Sequence, residues 1–169
     1  HAVYTLNDAH ASITGITIYD GLMEAPGQIG GGVCIGGKGG VVEDCVITNN
    51  ISTGYEYFGG GVGISSSAGR MSRCVIAYNQ NTGFYSPGSG VAISAGILEN
   101  CLVYSNRWTH TSGDRGCGGV RLSGSGVVRN CTIYGNYCGT LAGGIRQYGS
   151  AMVINTAIFD NLAPNDTSS

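Results

Sequence analysis

A short pattern that returns every 25 to 29 residues constrains this chain more than any other feature. It first reads Gly-Gly-Val-Cys-Ile at residues 31–35. Its central apolar position is occupied in turn by Val33, Val62, Val91, Val120 and Ile145. Self-similarity at a fixed period of this length is typical of proteins built from stacked repeats, each packed on its neighbours. The spacing therefore predicts a solenoid.

A second pattern follows each copy of the first and reads apolar-x-x-Cys-x-Ile-x-x-Asn, with small variations. Its cysteine position holds Ile16, Cys45, Cys74, Cys101, Cys131 and Thr156. Its asparagine position holds Gly21, Asn50, Asn79, Asn106, Asn136 and Asn161. Together the two patterns predict about six coils of 25–30 residues.

Each repeat contains three short runs with β-strand character and no helical pattern. Apolar residues two apart, as in Val33 and Ile35, face the same side of a strand. Stacking the coils at the strand spacing of about 4.8 Å lays like side chains over one another. We expect an all-β parallel solenoid with three strands per coil. In it the cysteines form a buried column of small apolar side chains, and the asparagines form a turn ladder whose amides satisfy the backbone.

The leucine-rich repeat is an alternative, because its strand segment shares the apolar-x-x-apolar-x-apolar-x-x-Asn spacing. That architecture expects a leucine two residues after the Asn. This chain has Ser52, Asn81, Trp108, Cys138 and Ala163 there. Its return segment is commonly helical, whereas here that segment contains Gly59–Gly61, and each glycine costs a helix about 1 kcal/mol relative to alanine. The pattern favours a parallel β-helix.

Through these two motifs the chain resembles the right-handed parallel β-helix repeat region of the pectin-lyase-like superfamily. The motifs are also similar to repeats of secreted bacterial surface adhesins, including polymorphic membrane proteins. The resemblance covers residues 3–161. It implies one β-helix domain, residues 1–161, followed by a C-terminal tail or linker, residues 162–169. It implies a fold and no particular activity.

The composition argues against several partners. Lys38 is the only lysine, the arginines are scattered and the net charge is −2, so no basic footprint for nucleic acid exists. No apolar run reaches the roughly 18 residues that a membrane span needs. The seven cysteines show no C-x-x-C pair and no zinc spacing, so neither a metal nor a cofactor is expected.

A catalytic centre is not expected either. Resemblance to the polysaccharide lyases and hydrolases of the superfamily implies a cleft with grouped carboxylates. Only Glu43 and Asp44 adjoin one another, and neighbours in a strand point to opposite faces, so these two are not expected to share a proton. Asp44 also occupies the position that Asn100, Asn130 and Asn155 hold in later coils, which makes it a turn residue. A carbohydrate-active enzyme stays as the alternative to a non-catalytic role.

The loops after each ladder asparagine vary in sequence and carry aromatic residues, which suit a flat sugar or a protein partner. In register they would form a loop ridge. Its members are Tyr55, Tyr57, Phe58, Phe84, Tyr85, Trp108, His110 and Tyr137. The alternative is that the loops fold back and bury these rings against the coils.

A second candidate surface consists of outward positions on the third strand of each coil. We expect these positions to form an apolar interface strip, since a contiguous apolar patch usually marks an interface. Its members are Tyr19, Val46, Val75, Leu102, Tyr104, Tyr134 and Phe159. The alternative is that the variable loops lie across it.

These expectations combine into one functional hypothesis. The chain is expected to be a structural or adhesive rod outside the cell or on its surface, where Cys117 and Cys138 in neighbouring loops could form a disulfide. Its expected partners are a polysaccharide or a surface protein. Unpaired strand edges at the two ends would also allow copies to associate end to end, and the interface strip would allow them to associate side by side.

Overall fold

The computed structural model describes residues 4–24, 30–53, 59–83, 88–110 and 116–164, and every regular element in these ranges is a β-strand. The strands form four parallel sheets, A to D, which the chain visits in that order once per coil. Sheet A contains β1 (Tyr4–Leu6), β5 (Val33–Ile35), β9 (Val62–Ile64), β13 (Val91–Ile93), β17 (Val120–Leu122) and β21 (Ile145–Gln147). Sheet B contains β2 (Ser12–Thr14), β6 (Gly40–Glu43), β10 (Gly69–Ser72), β14 (Ile97–Glu99), β18 (Val127–Arg129) and β22 (Met152–Ile154). Sheet C contains β3 (Thr17–Tyr19), β7 (Val46–Thr48), β11 (Val75–Ala77), β15 (Leu102–Tyr104), β19 (Thr132–Tyr134) and β23 (Ala157–Phe159). Sheet D contains β4 (Leu22–Met23), β8 (Ile51–Ser52), β12 (Gln80–Asn81), β16 (Arg107–Trp108) and β20 (Tyr137–Cys138).

The predicted all-β parallel solenoid is confirmed, with about five full turns between β1 and β21. The predicted count of three strands per coil is wrong, because a fourth, two-residue strand follows the ladder position in each of the first five coils. Two residues are too few to show a period-2 alternation, so the sequence carries no visible sign of sheet D. This strand occupies the return segment where a leucine-rich repeat commonly has a helix.

The core is the inside of the solenoid, filled by columns of apolar side chains in strict register. Sheet C shows the principle: Ile18 pairs with Ile47, Ile47 with Ile76, Ile76 with Val103 and Val103 with Ile133. All of these residues are at most 1% exposed. Sheets A and B contribute equivalent columns. Because each inward residue of the inner coils packs on its counterparts above and below, burial there is complete even though the strands are only three or four residues long.

Two corners of each coil turn on a single residue in the left-handed region. Between sheets B and C these residues are Gly15, Asp44, Arg73, Asn100, Asn130 and Asn155, and between sheets C and D they are Asp20, Asn49, Tyr78, Ser105, Gly135 and Asp160. Glycine, Asn and Asp adopt this conformation most readily, so most of these positions match their residue type. The ladder asparagines themselves are not the left-handed residues; each follows one directly.

The ladder asparagines instead tie the coils together through their side-chain amides. Asn79 donates from Nδ2 to Asn106 Oδ1 at 3.0 Å, and the backbone nitrogen of Asn79 donates to the same oxygen at 3.0 Å. The same pair of bonds links Asn50 to Asn79, Asn106 to Asn136 and Asn136 to Asn161. At the first coil, Gly21 donates its backbone N–H to Asn50 Oδ1 at 2.9 Å. The ladder therefore satisfies buried polar groups along the length of the solenoid.

The inward residues of the last coil are less buried than those of the inner coils, because they have a neighbouring coil on one side only. Ile158 continues the inward column of sheet C, yet it is 47% exposed, whereas Ile133 one coil earlier is fully buried. Leu162, which the sequence assigned to the tail, still forms a parallel bridge with Tyr137. In the described ranges no helix has the length and apolarity needed to cross a membrane.

We predict that Asn106→Ala lowers the free energy of unfolding by about 2–4 kcal/mol, since the change leaves several buried donors and acceptors unsatisfied at about 1–3 kcal/mol each. Asn161→Ala is the matched control, because Asn161 occupies the same ladder at a partly exposed coil. Water can replace its bonds, and the expected loss is about 1 kcal/mol. Urea unfolding monitored by circular dichroism measures the free energy of unfolding of both variants. Equal losses in the two variants would contradict the prediction that buried ladder bonds contribute more than partly exposed ones.

Candidate functional site

The outer face of sheet C carries the residues of the predicted interface strip in two adjacent rows. One row contains Val46, Val75 and Leu102, which are register partners. The other row contains Tyr19, Tyr104, Tyr134 and Phe159, with Thr48 and Ala77 between the first two. Exposure reaches 59% at Tyr19, 37% at Val46 and 48% at Phe159. We call this surface the contact face.

Three rings of the contact face stack in a column because their strands are in register. The rings of Tyr104 and Tyr134 have centroids 5.2 Å apart and planes within 7°, and those of Tyr134 and Phe159 are 5.4 Å apart and within 6°. These separations lie close to the strand spacing of about 4.8 Å. Burial raises the pKa of the Tyr104 hydroxyl, and the neighbouring Tyr78 adds to the effect. The column is therefore an ordered stack of rings that is partly desolvated.

Tyr78 extends this column, and the sequence analysis missed it. Its ring meets Tyr104 edge to face, with centroids 5.4 Å apart and an interplanar angle of 78°, and the residue is 55% exposed. Tyr78 occupies the left-handed corner before the ladder Asn79, at φ 57°. The strand pattern assigns no surface to that corner position. The signal that could have found it is its position directly before a ladder asparagine, which is recognisable in every coil.

The predicted loop ridge is wrong for Trp108. This residue belongs to β16, its ring is fully buried, and its Nε1 donates to the Gly83 carbonyl at 3.3 Å. Gly116 lies so close that a Cβ there would come within 2.0 Å of the ring. The alternative, a ring folded against the coils, holds at this position, because sheet D directs Trp108 inward. His110 and Tyr137 are half-buried.

The other five ridge residues cannot be compared with the structure. Tyr55, Tyr57, Phe58, Phe84 and Tyr85 lie outside the described residues. Of the described ridge residues, Tyr137 lies under a cation, with the Arg107 guanidinium 4.8 Å from its ring centroid. Among the described residues, an exposed surface of stacked aromatic rings therefore lies on the contact face.

Glu43 and Asp44 converge on one cation, contrary to the expectation that they face opposite sides. Arg73 donates from Nε to Asp44 Oδ1 at 2.8 Å and lies 3.2 Å from Glu43 Oε2 through Nη2. Asp44 is the turn residue that the sequence predicts: it lies at the corner with φ 53°, so strand alternation does not apply to it. Ser72 completes the group by donating to Glu43 Oε1 at 2.8 Å.

The arrangement lowers the pKa of both carboxyl groups. The hydrogen bond from Ser72 is the main cause at Glu43, followed by the contact with Arg73. At Asp44 the hydrogen bond from Arg73 is the main cause. Both groups are therefore ionised and compensated at neutral pH, which is unsuitable for a general acid that must carry a proton there.

A second acidic side chain is held by two cations on the outer side of sheet B. Glu99 is 3% exposed and forms ion pairs with Arg70 and Arg129. The contact from Arg129 Nε to Glu99 Oε2 is 2.6 Å. Since Glu99 lies between the two arginines in neighbouring strands, the register of sheet B neutralises this buried charge.

The cysteine column lies at the inner side of the corner between sheets B and C. Cys45, Cys74, Cys101 and Cys131 are 1–3% exposed. Each Sγ donates to the carbonyl two residues earlier, for example Cys74 to Ser72 at 3.2 Å and Cys101 to Glu99 at 3.1 Å. Contact with the Cys131 and Cys74 thiols, together with burial, raises the pKa of Cys101. These thiols pack as small, weakly donating side chains.

The predicted disulfide between Cys117 and Cys138 is not formed, and both residues are free and fully buried. Cys117 Sγ donates to the Val120 carbonyl at 3.2 Å, and Cys138 Sγ contacts Thr140 Oγ1 at 3.7 Å. Each thiol therefore has its own partner within the coil. Burial raises the pKa of Cys117 to about 12, which suppresses the thiolate that exchange chemistry requires.

The described part of the chain contains no group of three or more His, Cys, Asp or Glu side chains arranged to hold a metal ion. Its functional features are thus a hydrogen-bonded ladder, compensated ion pairs and an apolar outer face. Together with the four parallel sheets, they define the class: a parallel β-solenoid.

Comparison with known proteins identifies the family within this class. The model of the right-handed β-helix region matches residues 1–165, so the chain belongs to the right-handed β-helix family. No curated protein and no solved structure gives a match. Membership of this family establishes the fold. It does not establish an activity, which has to be inferred from the surface residues.

We predict that Arg73→Ala raises the pKa of Asp44 toward its ordinary value near 3.9. A carboxyl whose folded pKa is lowered stabilises the fold above its unfolded pKa, and this contribution is lost as pH falls through the folded pKa. The variant should therefore lose less stability on acidification below about pH 4 than the native chain does. Carboxyl carbon NMR titration measures the shift.

The control for this prediction is Arg107→Ala, which removes a guanidinium that packs on the Tyr137 ring. It should leave the Asp44 titration unchanged. If both variants move the Asp44 pKa equally, the effect comes from overall charge and not from the Arg73 contact.

Proposed function

We propose that this chain is a non-catalytic structural or adhesive β-helix that works outside the cell or on its surface. In this proposal the contact face binds protein, and a second copy of the chain is the first candidate partner. The observation that supports this proposal is an aromatic column on the contact face, whose rings are already aligned in the unbound chain. The column contains Tyr78, Tyr104, Tyr134 and Phe159. Resemblance to secreted surface adhesins supports the location.

The contact face has the chemistry of an interface. Leu102 and Val75 are half-buried, Val46 is exposed, and tyrosines flank them. Aromatic residues are enriched in the centres of protein interfaces, and a contiguous exposed apolar patch usually marks one. Because register already aligns the rings, binding would order few additional side chains, which reduces the entropic cost of association.

The ring geometry favours a protein partner over a sugar. A sugar packs its flat side on the open face of an aromatic ring. The faces of Tyr104 and Tyr134 are turned toward each other, so ring edges and hydroxyl groups face outward. Edges and hydroxyls suit the mixed apolar and polar contacts of a protein surface.

The ion pairs support a non-catalytic role. Glu43 and Asp44 are held by Arg73, and Glu99 is held by Arg70 and Arg129. Polysaccharide hydrolysis by paired carboxylates needs one protonated acid and one free base. Carboxylates held in such ion pairs fit the structural role better.

We predict that the double variant Leu102→Asp, Tyr104→Lys weakens self-association at least about tenfold, since both changes place charges in a desolvated contact. Sedimentation equilibrium over a range of concentrations measures the dissociation constant. Val127→Asp, on the outer side of sheet B, is the matched control and should associate like the native chain. An association state unchanged by the double variant rules out the contact face as the site between copies.

We also predict that the chain releases no new reducing ends and no unsaturated products from a panel of acidic and neutral polysaccharides. Reducing-end and ultraviolet absorbance assays measure the two products. Turnover that survives purification and disappears in Glu43→Gln would replace the proposal with a carbohydrate-active enzyme. Binding to a glycan array without turnover would keep the non-catalytic role and change the partner from protein to glycan.

A further inference from the structure

Strand register holds two phenol rings side by side on the outer face of sheet C. Tyr104 in β15 and Tyr134 in β19 are register partners, so their backbones are about 4.8 Å apart. The preceding residues, Val103 and Ile133, are fully buried, and strand alternation therefore directs both tyrosines outward at the same level of the sheet. Both tyrosines are half-buried, so water and small solutes reach their outer edges.

The geometry of these two rings brings their reactive carbons together. The ring centroids are 5.2 Å apart and the ring planes lie within 7° of each other. When a phenol loses one electron and its hydroxyl proton, the unpaired electron is shared between the oxygen and the ring carbons next to the C–O carbon. Since the two rings start from equivalent backbone positions and are nearly parallel, these ortho carbons lie at neighbouring positions near the outer end of the stack.

A third tyrosine gives an oxidant access to this pair. Tyr78 is 55% exposed, and its ring centroid lies 5.4 Å from that of Tyr104. Burial is the main cause that raises the pKa of the Tyr104 hydroxyl, and a hydrogen bond with the Tyr78 hydroxyl adds to it. A radical formed on Tyr78 can therefore take a hydrogen atom from Tyr104 across this contact, which restores Tyr78 and leaves the radical on Tyr104.

We propose that Tyr104 and Tyr134 are an oxidative modification site, at which hydrogen peroxide and a haem peroxidase join the two rings as dityrosine. Each phenol gives one electron and its hydroxyl proton, and these reduce one peroxide molecule to two water molecules. The two radicals then form one bond between their ortho carbons. Each bonded carbon loses its hydrogen as a proton while each phenol oxygen regains one. The balance is two tyrosines and one peroxide giving one dityrosine and two waters.

The product is a covalent link between neighbouring coils of one chain. It joins β15 to β19 on the outside of sheet C, where backbone hydrogen bonds and packing otherwise hold the coils together. A cross-link that closes a loop stabilises a fold mainly by restricting the unfolded chain. The link forms within a single molecule, so it goes beyond the proposed function and does not depend on association between copies.

The test treats the full chain with a haem peroxidase and hydrogen peroxide, at a concentration where sedimentation shows only monomer. We expect dityrosine fluorescence in a product of monomer mass, and a raised midpoint of thermal unfolding. Tandem mass spectrometry of the digested product should find the Tyr104 peptide joined to the Tyr134 peptide, with the loss of two hydrogen atoms. An absence of dityrosine, links that form only between chains, or a link from Tyr104 to Tyr78 instead overturns the proposal.

Matched variants separate this site from general tyrosine oxidation. Tyr134→Phe keeps a ring in the stack and removes the phenol, so it should abolish the link within the monomer. Tyr19→Phe is the control, because Tyr19 is 59% exposed on the same face and its register partner, Thr48, carries no ring. This control should give the native yield, and circular dichroism checks that both variants fold. Equal losses in the Tyr19 and Tyr134 variants overturn the proposal.

The role of Tyr78 has a separate readout. Tyr78→Phe should slow the formation of dityrosine and leave the link between Tyr104 and Tyr134 unchanged in position. A link that moves to other residues in this variant overturns the assignment of the site.

Discussion

Parallel register between coils is the constraint on which the rest of the structure depends. Strands of two to four residues cannot form a stable sheet alone, yet here each pairs with its counterpart in the neighbouring coils. A slip of one residue would turn every inward side chain outward. The asparagine ladder opposes such a slip, because Oδ1 of Asn79, Asn106, Asn136 and Asn161 each accepts from both the backbone and the side chain of the preceding ladder asparagine. The ladder therefore contributes both stability and register.

Parallel register also determines which charged and aromatic side chains lie next to each other on the outer faces of the sheets. In one outer column of sheet B, Glu43, Ser72, Glu99 and Arg129 follow one another, so acids alternate with groups that donate to them. In sheet C the equivalent stacking places aromatic rings over one another. In sheet A it places a cation over a cation, at Arg121 and Arg146. The same geometry thus yields compensated ion pairs, an apolar contact face and a pair of adjacent arginines.

Much of the fold could be predicted because a repeat reports the same environment several times. The inward columns, the cysteine column and the ladder asparagines each recur at fixed offsets, and their residue types match their burial. The candidate surface on sheet C was also accessible, since Leu102 and Tyr104 flank an inward residue of the same strand. The paired arginines at Arg121 and Arg146 occur at only two adjacent levels, so no repetition pointed to them.

The errors arose where the backbone leaves regular strand geometry. The turn position of Asp44 was predicted correctly, but its side chain was still separated from that of Glu43, whereas the corner brings both beside Arg73. The same kind of corner added Tyr78 to the aromatic column. Trp108 follows a ladder asparagine and was assigned to an exposed loop, but sheet D turns it into the interior.

The sequence by itself determined the periodicity, the inward and outward faces of sheets A to C, and the residues of the ladder, since these depend on local spacing. Only the tertiary structure decided the fourth sheet, the partners of each charge and the burial of Trp108. Such features depend on how the corners direct the chain and on what the neighbouring coil places beside each side chain, which spacing along one coil does not encode.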